Sequence, residues 1–280
     1  MTPVSFDLAA YLDRIALKAV PEANVDGLAV LQRAHRLAIP FENLDVRLGR
    51  PIRTDSDAVF AKLVTARRGG FCFEQNRLFL DALAAIGLPA RALLGRVLLG
   101  AEAVPPRTHT LALVEAGGQA WIADVGFGGS YSPPMPLVDG ATADAPDGAR
   151  WRLEAGDALG WLLLRDGPAA STDGRGGGGG GPGWQPQYAF TLDPVHDADC
   201  VMGAHFAATY PDSRFVRHAI ASLPLPTGFA SLVDRDYRRR SGDQIAEGTI
   251  DDPRVYRIRL GLLFGIQLSA EEVAAIGLFD

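Results

Sequence analysis

The stretch Arg68-Gly69-Gly70-Phe71-Cys72-Phe73-Glu74-Gln75-Asn76 carries residue types suited to covalent chemistry. An amphipathic run from Phe73 to Ile86 follows the cysteine, and Gly87 and Pro89 end it, so Cys72 is predicted in the first turn of a helix. Free N–H groups and the positive end of the dipole at that place favour a thiolate, the nucleophile of acyl transfer. A buried structural cysteine is the alternative. The two glycines, which would leave room for a substrate, favour the nucleophile.

A hairpin further along the chain is predicted to bring a histidine and an aspartate together. Residues His109 to Glu115 and Gln119 to Val125 have strand character, and Gly117-Gly118 fits a two-residue turn. In that register His109 and Asp124 are diagonal neighbours on one face, about 7–8 Å apart between Cα atoms. The rest of that face is apolar, so the two polar side chains are expected to pair with each other. A three-residue loop would break this register.

Two further segments are ambiguous by themselves. Pro40-Phe41-Glu42-Asn43-Leu44 is a turn with an aromatic ring and two polar groups, or a plain loop. Val125-Gly126-Phe127-Gly128-Gly129-Ser130 lacks the spacing and the lysine of a nucleotide-binding loop. Its N–H groups could still receive a phosphate or an oxyanion, although an ordinary turn is the alternative.

Composition excludes several classes of function. The chain has 280 residues and a net charge of −6, and its basic cluster Arg238-Arg239-Arg240 is short and typical of a solvated face, which argues against nucleic-acid binding. No apolar stretch approaches the roughly 20 residues that span a bilayer, and the N-terminus has no signal-peptide pattern. Cys72 and Cys200 have neither metal-ligand nor disulfide spacing, so we expect a cytoplasmic protein without a metal or a membrane partner.

Periodicity indicates an α+β chain in three parts. Residues 1–89 are predicted to form a helical bundle, with Ser5 and Ser56 as helix caps, and residues 90–192 are predicted to be mainly strands. A glycine-rich insert at about 168–186, with Gly176 to Gly181 in a row, is predicted to be a flexible connection. Residues 193–280 are predicted to mix helix and strand. The elements expected there are a helix at Ser213 to Ser222, a strand at Val255 to Leu260 and a last helix capped by Ser269-x-x-Glu272.

Taken together, four motifs resemble the arylamine N-acetyltransferase family. The motifs are the Arg68–Asn76 cysteine stretch, Pro40–Leu44, Thr108-His109-Thr110-Leu111 and Asp124-Val125-Gly126-Phe127-Gly128. The resemblance implies a multidomain fold with an N-terminal helical bundle, a central β-barrel and a C-terminal α/β lid. It also implies a cysteine-protease-like triad, in which Cys72 accepts the acyl group, His109 is the base and Asp124 orients the imidazole. Acetyl-CoA would acylate Cys72, and an arylamine, arylhydroxylamine or hydrazine would take the acetyl group.

The same resemblance suggests binding residues. Phe41 and Phe127 match positions that line the acceptor pocket in the family. Gly128, Gly129 and Ser130 correspond to a loop near the CoA pyrophosphate, and the segment holding Thr209 and Ser213 resembles a CoA-binding segment. An asparagine usual upstream of that segment is absent, with Ala204 and His205 nearby, and the polyglycine insert is foreign to the pattern. Cys200, His35, His196, His205 and His218 match no catalytic position and are predicted to be structural or surface residues.

Three other functions stay open on the sequence. An amide synthase that releases a polyketide from a carrier protein would share the triad and the fold. A cysteine amide hydrolase would share the triad, and a non-catalytic binding protein could have kept the fold. The preferred acyl-CoA, the acceptor amine and the oligomeric state are not encoded in any motif.

Overall fold

Helices make up most of residues 6–89, as their apolar periodicity predicts. In the computed structural model, which describes residues 6–156, 158–167 and 183–279, one π-helical turn (Ala61–Thr65) continues the fourth helix. The helices are α1 (Leu8–Arg14), α2 (Val25–Ala38), α3 (Leu44–Arg47), α4 (Ser56–Phe60), α5 (Cys72–Ala85), α6 (Asp197–Thr209), α7 (Arg214–Arg217), α8 (Pro253–Phe264) and α9 (Ala270–Ala275).

Two of the predicted helix caps are wrong. Asp7 caps α1 by accepting the N–H of Ala10, and Ser5 lies outside the described residues. Asp55 caps α4 by accepting the N–H of Ala58, so Ser56 becomes the first helical residue instead. Aspartate and serine are comparable caps, and which of two neighbours takes the position depends on how the apolar face meets the core.

Strands from the middle of the chain form an eight-stranded antiparallel sheet that curls into a nearly closed barrel. Its order is β5-β4-β3-β2-β9-β8-β7-β6. The strands of the whole chain are β1 (Phe41–Glu42), β2 (Ala90–Val97), β3 (His109–Ala116), β4 (Gln119–Ala123), β5 (Met135–Pro136), β6 (Thr142–Asp144), β7 (Arg150–Ala155), β8 (Trp161–Asp166), β9 (Gln185–Phe190), β10 (Ile220–Leu225), β11 (Gly228–Val233), β12 (Asp236–Ser241) and β13 (Gln244–Thr249).

The predicted β3–β4 hairpin register is confirmed. Ala116 pairs with Gln119 across the turn, and Ala112 pairs with Ala123. Gly117 and Gly118 both have positive φ, 60° and 76°, which is the conformation of a type I′ turn and the reason for two glycines. The two-residue loop therefore fixes which face His109 and Asp124 share.

A second antiparallel sheet, in the order β1-β10-β11-β12-β13, was missed by the sequence reasoning. The helix predicted at 213–222 is wrong beyond its first turn, because α7 ends at Arg217 and β10 begins at Ile220. Strand β1, from the first part of the chain, pairs with β10 as Phe41 opposite Ser222. The motif around Phe41 is therefore an edge strand of the C-terminal sheet.

The strand predicted at Val255–Leu260 is also wrong, because this segment lies within helix α8. Asp252 caps that helix, Pro253 occupies its first turn, and Gly265 ends it with a φ of 67°. The buried residues of α8 are Tyr256, Leu260 and Phe264, spaced by four, whereas Ile258 is exposed. Alternating apolar and arginine residues imitate a period of two here, but caps at both ends and packing of one helix face decide the structure. The capping box predicted at Ser269 and Glu272 is confirmed.

The three parts of the chain meet at one apolar cluster around Cys72. Phe41, Phe71 and Phe73 pack there with Leu94 of β2, Ala204 and Ala207 of α6, and Ile220 of β10. The division at residues 89/90 and 192/193 stays a prediction, as does the flexible role of Gly176 to Gly181, which lie outside the described residues. No helix in the described part of the chain is long and apolar enough to cross a membrane.

Candidate active site

Cys72 is the first residue of α5, as predicted, and its side chain is almost buried. Its Sγ lies 3.5 Å from the carbonyl oxygen of Thr108, the residue before His109. The helix starts here because Phe71 is extended and its N–H donates to the Glu74 carboxylate at 3.1 Å. This local bond fixes the backbone on both sides of the sulfur.

The glycines before Cys72 serve packing rather than substrate access, contrary to the expectation from the sequence. Both are buried. A Cβ at Gly69 would lie 2.2 Å from the Pro40 oxygen, and a Cβ at Gly70 would lie 2.7 Å from a Glu74 oxygen. A larger residue would push the loop away from these neighbours, so glycine allows the loop to approach Pro40 at Gly69 and α5 at Gly70.

His109 and Asp124 form the predicted pair. Nε2 of His109 lies 2.7 Å from Oδ2 of Asp124, and the two residues are 2% and 5% exposed. A carboxylate only accepts, so Nε2 carries the hydrogen, and Nδ1 is the acceptor nitrogen of the neutral imidazole. Burial alone would raise the pKa of Asp124, but the charge and hydrogen bond of His109, the N–H of Gly126 and the amide of Asn76 outweigh it and lower that pKa.

Asn76 connects this pair to the cysteine helix. Its Nδ2 donates to Oδ1 of Asp124 at 3.1 Å and to the Thr110 oxygen at 2.6 Å, and its Oδ1 accepts from the N–H of Val125. Asn76 lies one turn after Cys72 on α5. Gly126 closes the arrangement, since a Cβ there would lie 2.6 Å from the Cys72 Cα. These contacts bring Cys72, His109 and Asp124 to one place.

Aromatic rings surround the imidazole. The ring of Tyr188, from β9, is centred 4.8 Å from that of His109, and the ring of Phe127 is centred 5.4 Å away and nearly perpendicular. Burial, followed by the negative charge of Asp124, raises the pKa of the Tyr188 hydroxyl well above its ordinary value. Tyr188 therefore stays neutral beside the pair. The sequence reasoning missed it, because only the pairing of β9 with β2 brings it there.

A network of buried charges supports the loop in front of Cys72. Lys62 bridges Asp45 at 2.8 Å and Glu74 at 2.7 Å, and Arg68 bridges Glu42 and Asp45. Burial raises the pKa of Glu74 to about 7 despite Lys62. Burial would lower the pKa of Lys62, but the three carboxylates outweigh it and raise that pKa.

The residues expected from the resemblance to bind substrates lie in several places. Phe41 is buried, and its ring lies against Gly128, where a Cβ would come within 2.9 Å. Ser130 is buried, and its hydroxyl accepts from Nε of Arg165 at 2.9 Å. Thr209 donates to the His205 oxygen within α6, and Ser213 caps α7. Gly129 lies beside Phe127 and supplies a carbonyl to Arg36.

A cavity of about 790 Å³ reaches Thr108, next to Cys72 and His109. Its apolar lining includes Leu94, Val195, Met202 and Phe206. Thr209 is the only one of the expected substrate-binding residues that lines this cavity, among the residues that the structure describes.

Two polar residues of α2 near the pair were also missed. Gln32 donates to the carbonyl oxygens of Asp124 and Ser132, and Arg36 donates to those of Val125 and Gly129. A signal for them exists in the sequence, because Gln32 and Arg36 lie four residues apart beside the apolar positions Leu28 and Leu31 of the same helix.

Comparison with known proteins places this arrangement among acyltransferases. Residues 24–273 match a family model described as N-acetyltransferase. An arylamine N-acetyltransferase of Escherichia coli K12 is 40% identical over 81% of this chain and 75% of its own length. An arylamine N-acetyltransferase / N-hydroxyarylamine O-acetyltransferase of Salmonella typhimurium is 36% identical over 98% of this chain and 96% of its own length.

Solved structures agree with the sequence relatives. The structure of the arylamine N-acetyltransferase from Salmonella typhimurium superposes with a TM-score of 0.86 and 34% identity, over 96% of this chain and 97% of that one. An arylamine N-acetyltransferase of Mycobacterium marinum, solved in complex with CoA, gives a TM-score of 0.85 and 30% identity, over 96% of this chain and 98% of that one.

Proposed function

Because the chain belongs to the arylamine N-acetyltransferase family, we propose that it moves an acetyl group from acetyl-CoA to arylamines, arylhydroxylamines or hydrazines through a thioester on Cys72. The observation that carries this proposal is the buried His109–Asp124 pair beside Cys72 at the start of α5. In this triad Cys72 is the nucleophile, His109 the base and Asp124 the residue that holds the imidazole.

The first half of the reaction exchanges one thioester for another. The Cys72 sulfur attacks the acetyl carbonyl carbon, a new C–S bond forms, and the bond to the CoA sulfur breaks. Nδ1 of His109 takes the thiol proton and returns it to the departing CoA sulfur. Asp124 keeps Nε2 protonated and stabilises the imidazolium, so the proton has one defined path.

In the second half the acceptor nitrogen attacks the acetyl-Cys72 carbonyl. The C–N bond forms, the bond to Sγ breaks, and the proton lost from nitrogen passes through His109 to the cysteine sulfur. An aromatic amine is a weak nucleophile because conjugation withdraws its lone pair, so removal of its proton by a base helps the attack. The products are the acetylated amine and the free thiol.

The cavity beside Thr108 supports an aromatic acceptor. Its wall includes Phe206 and Tyr210, whose rings stack at 4.6 Å, and the apolar side chains of Leu94 and Met202. Flat apolar surfaces of this kind suit an aromatic ring. We assign acceptor contacts to Phe41 and Phe127 and CoA contacts to Gly128, Gly129, Ser130, Thr209 and Ser213, with residues 193–280 acting as a lid. Because Thr209 lines the cavity, CoA and the aromatic amine would occupy this cleft in turn. The relative from Mycobacterium marinum that was solved with CoA supports a CoA thioester as donor.

The test is to trap the acyl-enzyme. Incubated with acetyl-CoA and no amine, the protein should gain one acetyl group on the peptide that contains Cys72, and an aromatic amine should then remove it. Cys72→Ala should abolish the label, and Cys200→Ala, at the other cysteine, should leave it unchanged. Double-reciprocal plots should be parallel. Intersecting plots without an acetylated peptide after rapid quenching would show direct transfer and contradict the proposal.

The same assay separates the alternatives. A hydrolase would lose the acetyl group to water as fast without amine as with it. An amide synthase would accept an acylated carrier protein in preference to acetyl-CoA. Measurement of CoA release over a panel of acyl-CoA donors, aromatic amines and hydrazines then identifies the preferred pair.

A further inference from the structure

Arg36 is a buried cation that the reaction described above does not use. It lies on α2, is 2% exposed, and forms no ion pair within 4 Å of its nitrogens among residues 6–156, 158–167 and 183–279. Burial lowers its pKa to about 10, so it remains charged at neutral pH. A buried charge without a direct partner is costly, which calls for a compensating role.

The two hydrogen bonds of Arg36 span the turn that follows Asp124. Nη1 donates to the Val125 oxygen at 3.2 Å, and Nη2 donates to the Gly129 oxygen at 2.6 Å. Between these two carbonyls lie Gly126, which packs on the Cys72 Cα, and Phe127, which packs on the His109 ring. A planar fork that grips both ends of the turn fixes the position of both contacts.

Helix α2 also contacts α5, the helix that begins at Cys72. Gln32, one turn before Arg36, donates to the Asp124 and Ser132 oxygens. His35 bonds through Nε2 to Oε1 of Gln75 on α5 at 2.7 Å. Helix α2 therefore contacts the Asp124 segment on one side and α5 on the other, and sets the separation between them.

Charges add to this geometry. Burial has the largest effect on the pKa of Arg36 and lowers it. The negative charge of Asp124 has the largest effect in the opposite direction, followed by Tyr131 and Tyr188. Asp124 itself faces His109 from β3, Asn76 from α5, Tyr188 from β9 and its own neighbour Gly126. His35, next to Arg36, is neutral because burial, opposed by its bond to Gln75, lowers its pKa to about 3. Arg36 is thus a cation that interacts with the Asp124 carboxylate, in addition to the direct hydrogen bond between that carboxylate and His109.

We propose that Arg36 is a positioning residue for acyl transfer, which holds the Asp124–Gly129 turn against Cys72 and keeps the Asp124 carboxylate ionised. This inference rests on the proposed function for the identity of the reaction. It acts through Asp124: without the two bonds from Arg36 the turn that carries the carboxylate can shift, the hydrogen bond between Asp124 and His109 weakens, and the imidazolium beside the Cys72 thiolate is less stabilised.

The experiment compares Arg36→Met with the wild type by two readouts. The first is the rate of Cys72 alkylation by iodoacetamide, followed by mass spectrometry across the pH range in which Asp, His and Cys titrate. The acid limb of the profile of alkylation rate against pH should move to higher pH by about one unit. The second is acetyl transfer, in which kcat should fall roughly 10- to 100-fold, a larger change than that in KM for the amine. Both half-reactions depend on Asp124, whereas Phe127 is the one assigned acceptor contact in the turn that Arg36 holds.

Two variants make the result specific. Arg36→Lys keeps the charge and should return the acid limb most of the way to the wild-type position. Arg14→Met is the matched control, because Arg14 is also buried and donates to backbone oxygens, those of Leu63, Ala38, Arg67 and Arg68, none of which lies in the Asp124–Gly129 turn. It should lower stability without moving the acid limb. If Arg36→Met does not fold, Arg36→Gln gives the same readout.

The proposal would be overturned if the acid limb of the Arg36 variants stayed in place, because Arg36 would then have no net effect on the thiolate. A shift to lower pH would also overturn it, because repulsion between Arg36 and the imidazolium would then dominate. Alkylation needs no acetyl-CoA, so this outcome is separate from the proposed function. If the wild type forms no acetyl-Cys72, the proposed function fails whatever the Arg36 variants show.

Discussion

At the scale of single residues, Asp124 uses both of its carboxylate oxygens. Oδ2 faces Nε2 of His109, and Oδ1 accepts from the N–H of Gly126 at 2.7 Å and from Asn76. One oxygen therefore orients the imidazole while the other is fixed by the turn and by α5. Both oxygens thus receive hydrogen bonds, which favour the ionised form of the buried carboxyl.

Asp124→Asn should lower kcat by about 10³- to 10⁴-fold, because an amide stabilises the wrong tautomer of His109 and leaves the imidazolium without a countercharge. Steady-state rates measure this, with circular dichroism as a check of folding. The double variant Asp124→Asn/Cys72→Ala should be no slower than Cys72→Ala, since a triad acts as a unit.

The chain offers a control for that substitution in a second histidine–aspartate pair, His218 and Asp234, which is 2.6 Å apart and partly exposed. Asp234→Asn should leave the rate near the wild-type value. Near-native turnover of Asp124→Asn would show that the orienting role is assigned to the wrong residue.

At the scale of the element, the start of α5 depends on a group of charges that do not balance. The buried carboxylates of Glu42, Asp45 and Glu74 face the cations of Lys62 and Arg68, and burial raises the pKa of the Glu74 carboxyl to about 7. Its pKa in the unfolded chain is near 4.5. The folded protein therefore holds this proton more tightly than the unfolded chain does.

The sign of the pH dependence follows. A raised carboxyl pKa contributes stability that is fully present below about pH 4.5 and is lost as the pH rises through about 7. Between pH 5 and 8 the wild type should therefore lose more free energy of unfolding than Glu74→Gln, as urea denaturation at several pH values would show. Glu247→Gln, at an exposed pair with Arg238, should follow the wild type. Parallel curves for Glu74→Gln would contradict the assignment.

Two leucines of α8 test whether this segment is a helix or a strand. Leu260 is fully buried, whereas Leu262 is 79% exposed, although a strand would place both on one face. Leu260→Ala should lower the free energy of unfolding by about 2–5 kcal/mol. Leu262→Ala should change it by less than about 0.5 kcal/mol. Equal losses measured by urea denaturation would favour a strand.

At the scale of the whole molecule, Asn43 joins the first part of the chain to the last. Its Nδ2 donates to the Phe215 and His218 oxygens, and its Oδ1 accepts from the N–H of Ile220. With the short pairing of β1 and β10, these bonds fix the C-terminal sheet beside the loop that leads to Cys72. The site therefore depends on a contact between distant parts of the chain.

Asn43→Ala should lower the free energy of unfolding by about 3 kcal/mol, because it leaves buried backbone groups without partners. Tryptophan fluorescence and far-UV circular dichroism should shift together, although all four tryptophans (Trp121, Trp151, Trp161 and Trp184) belong to the middle of the chain. Asn24→Ala removes one helix cap of α2 and should cost about 1 kcal/mol. An effect of Asn43→Ala no larger than this would show that the parts are weakly coupled.

Local features could be read from the sequence. The Gly117-Gly118 turn determines the register of β3 and β4, and so the pairing of His109 with Asp124, because two residues with positive φ allow one hairpin geometry. The apolar period after Cys72 predicts helix α5, and Gly87 predicts where it ends, so the place of Cys72 in its first turn follows from the sequence. Over α8, however, the residues fit both the period of a helix and the period of a strand, and the strand predicted from the sequence is wrong.

Contacts between distant segments were decided by the tertiary structure alone. Cys72 meets the His109–Asp124 pair because Asn76 and Gly126 join α5 to the end of β4, and Arg36, Gln32 and Tyr188 reach the pair from elements that sequence order keeps apart. A turn or a cap is fixed by energies among a few neighbouring residues. Which helix face meets which loop depends on the packing of the whole core, and no short stretch of sequence encodes that sum.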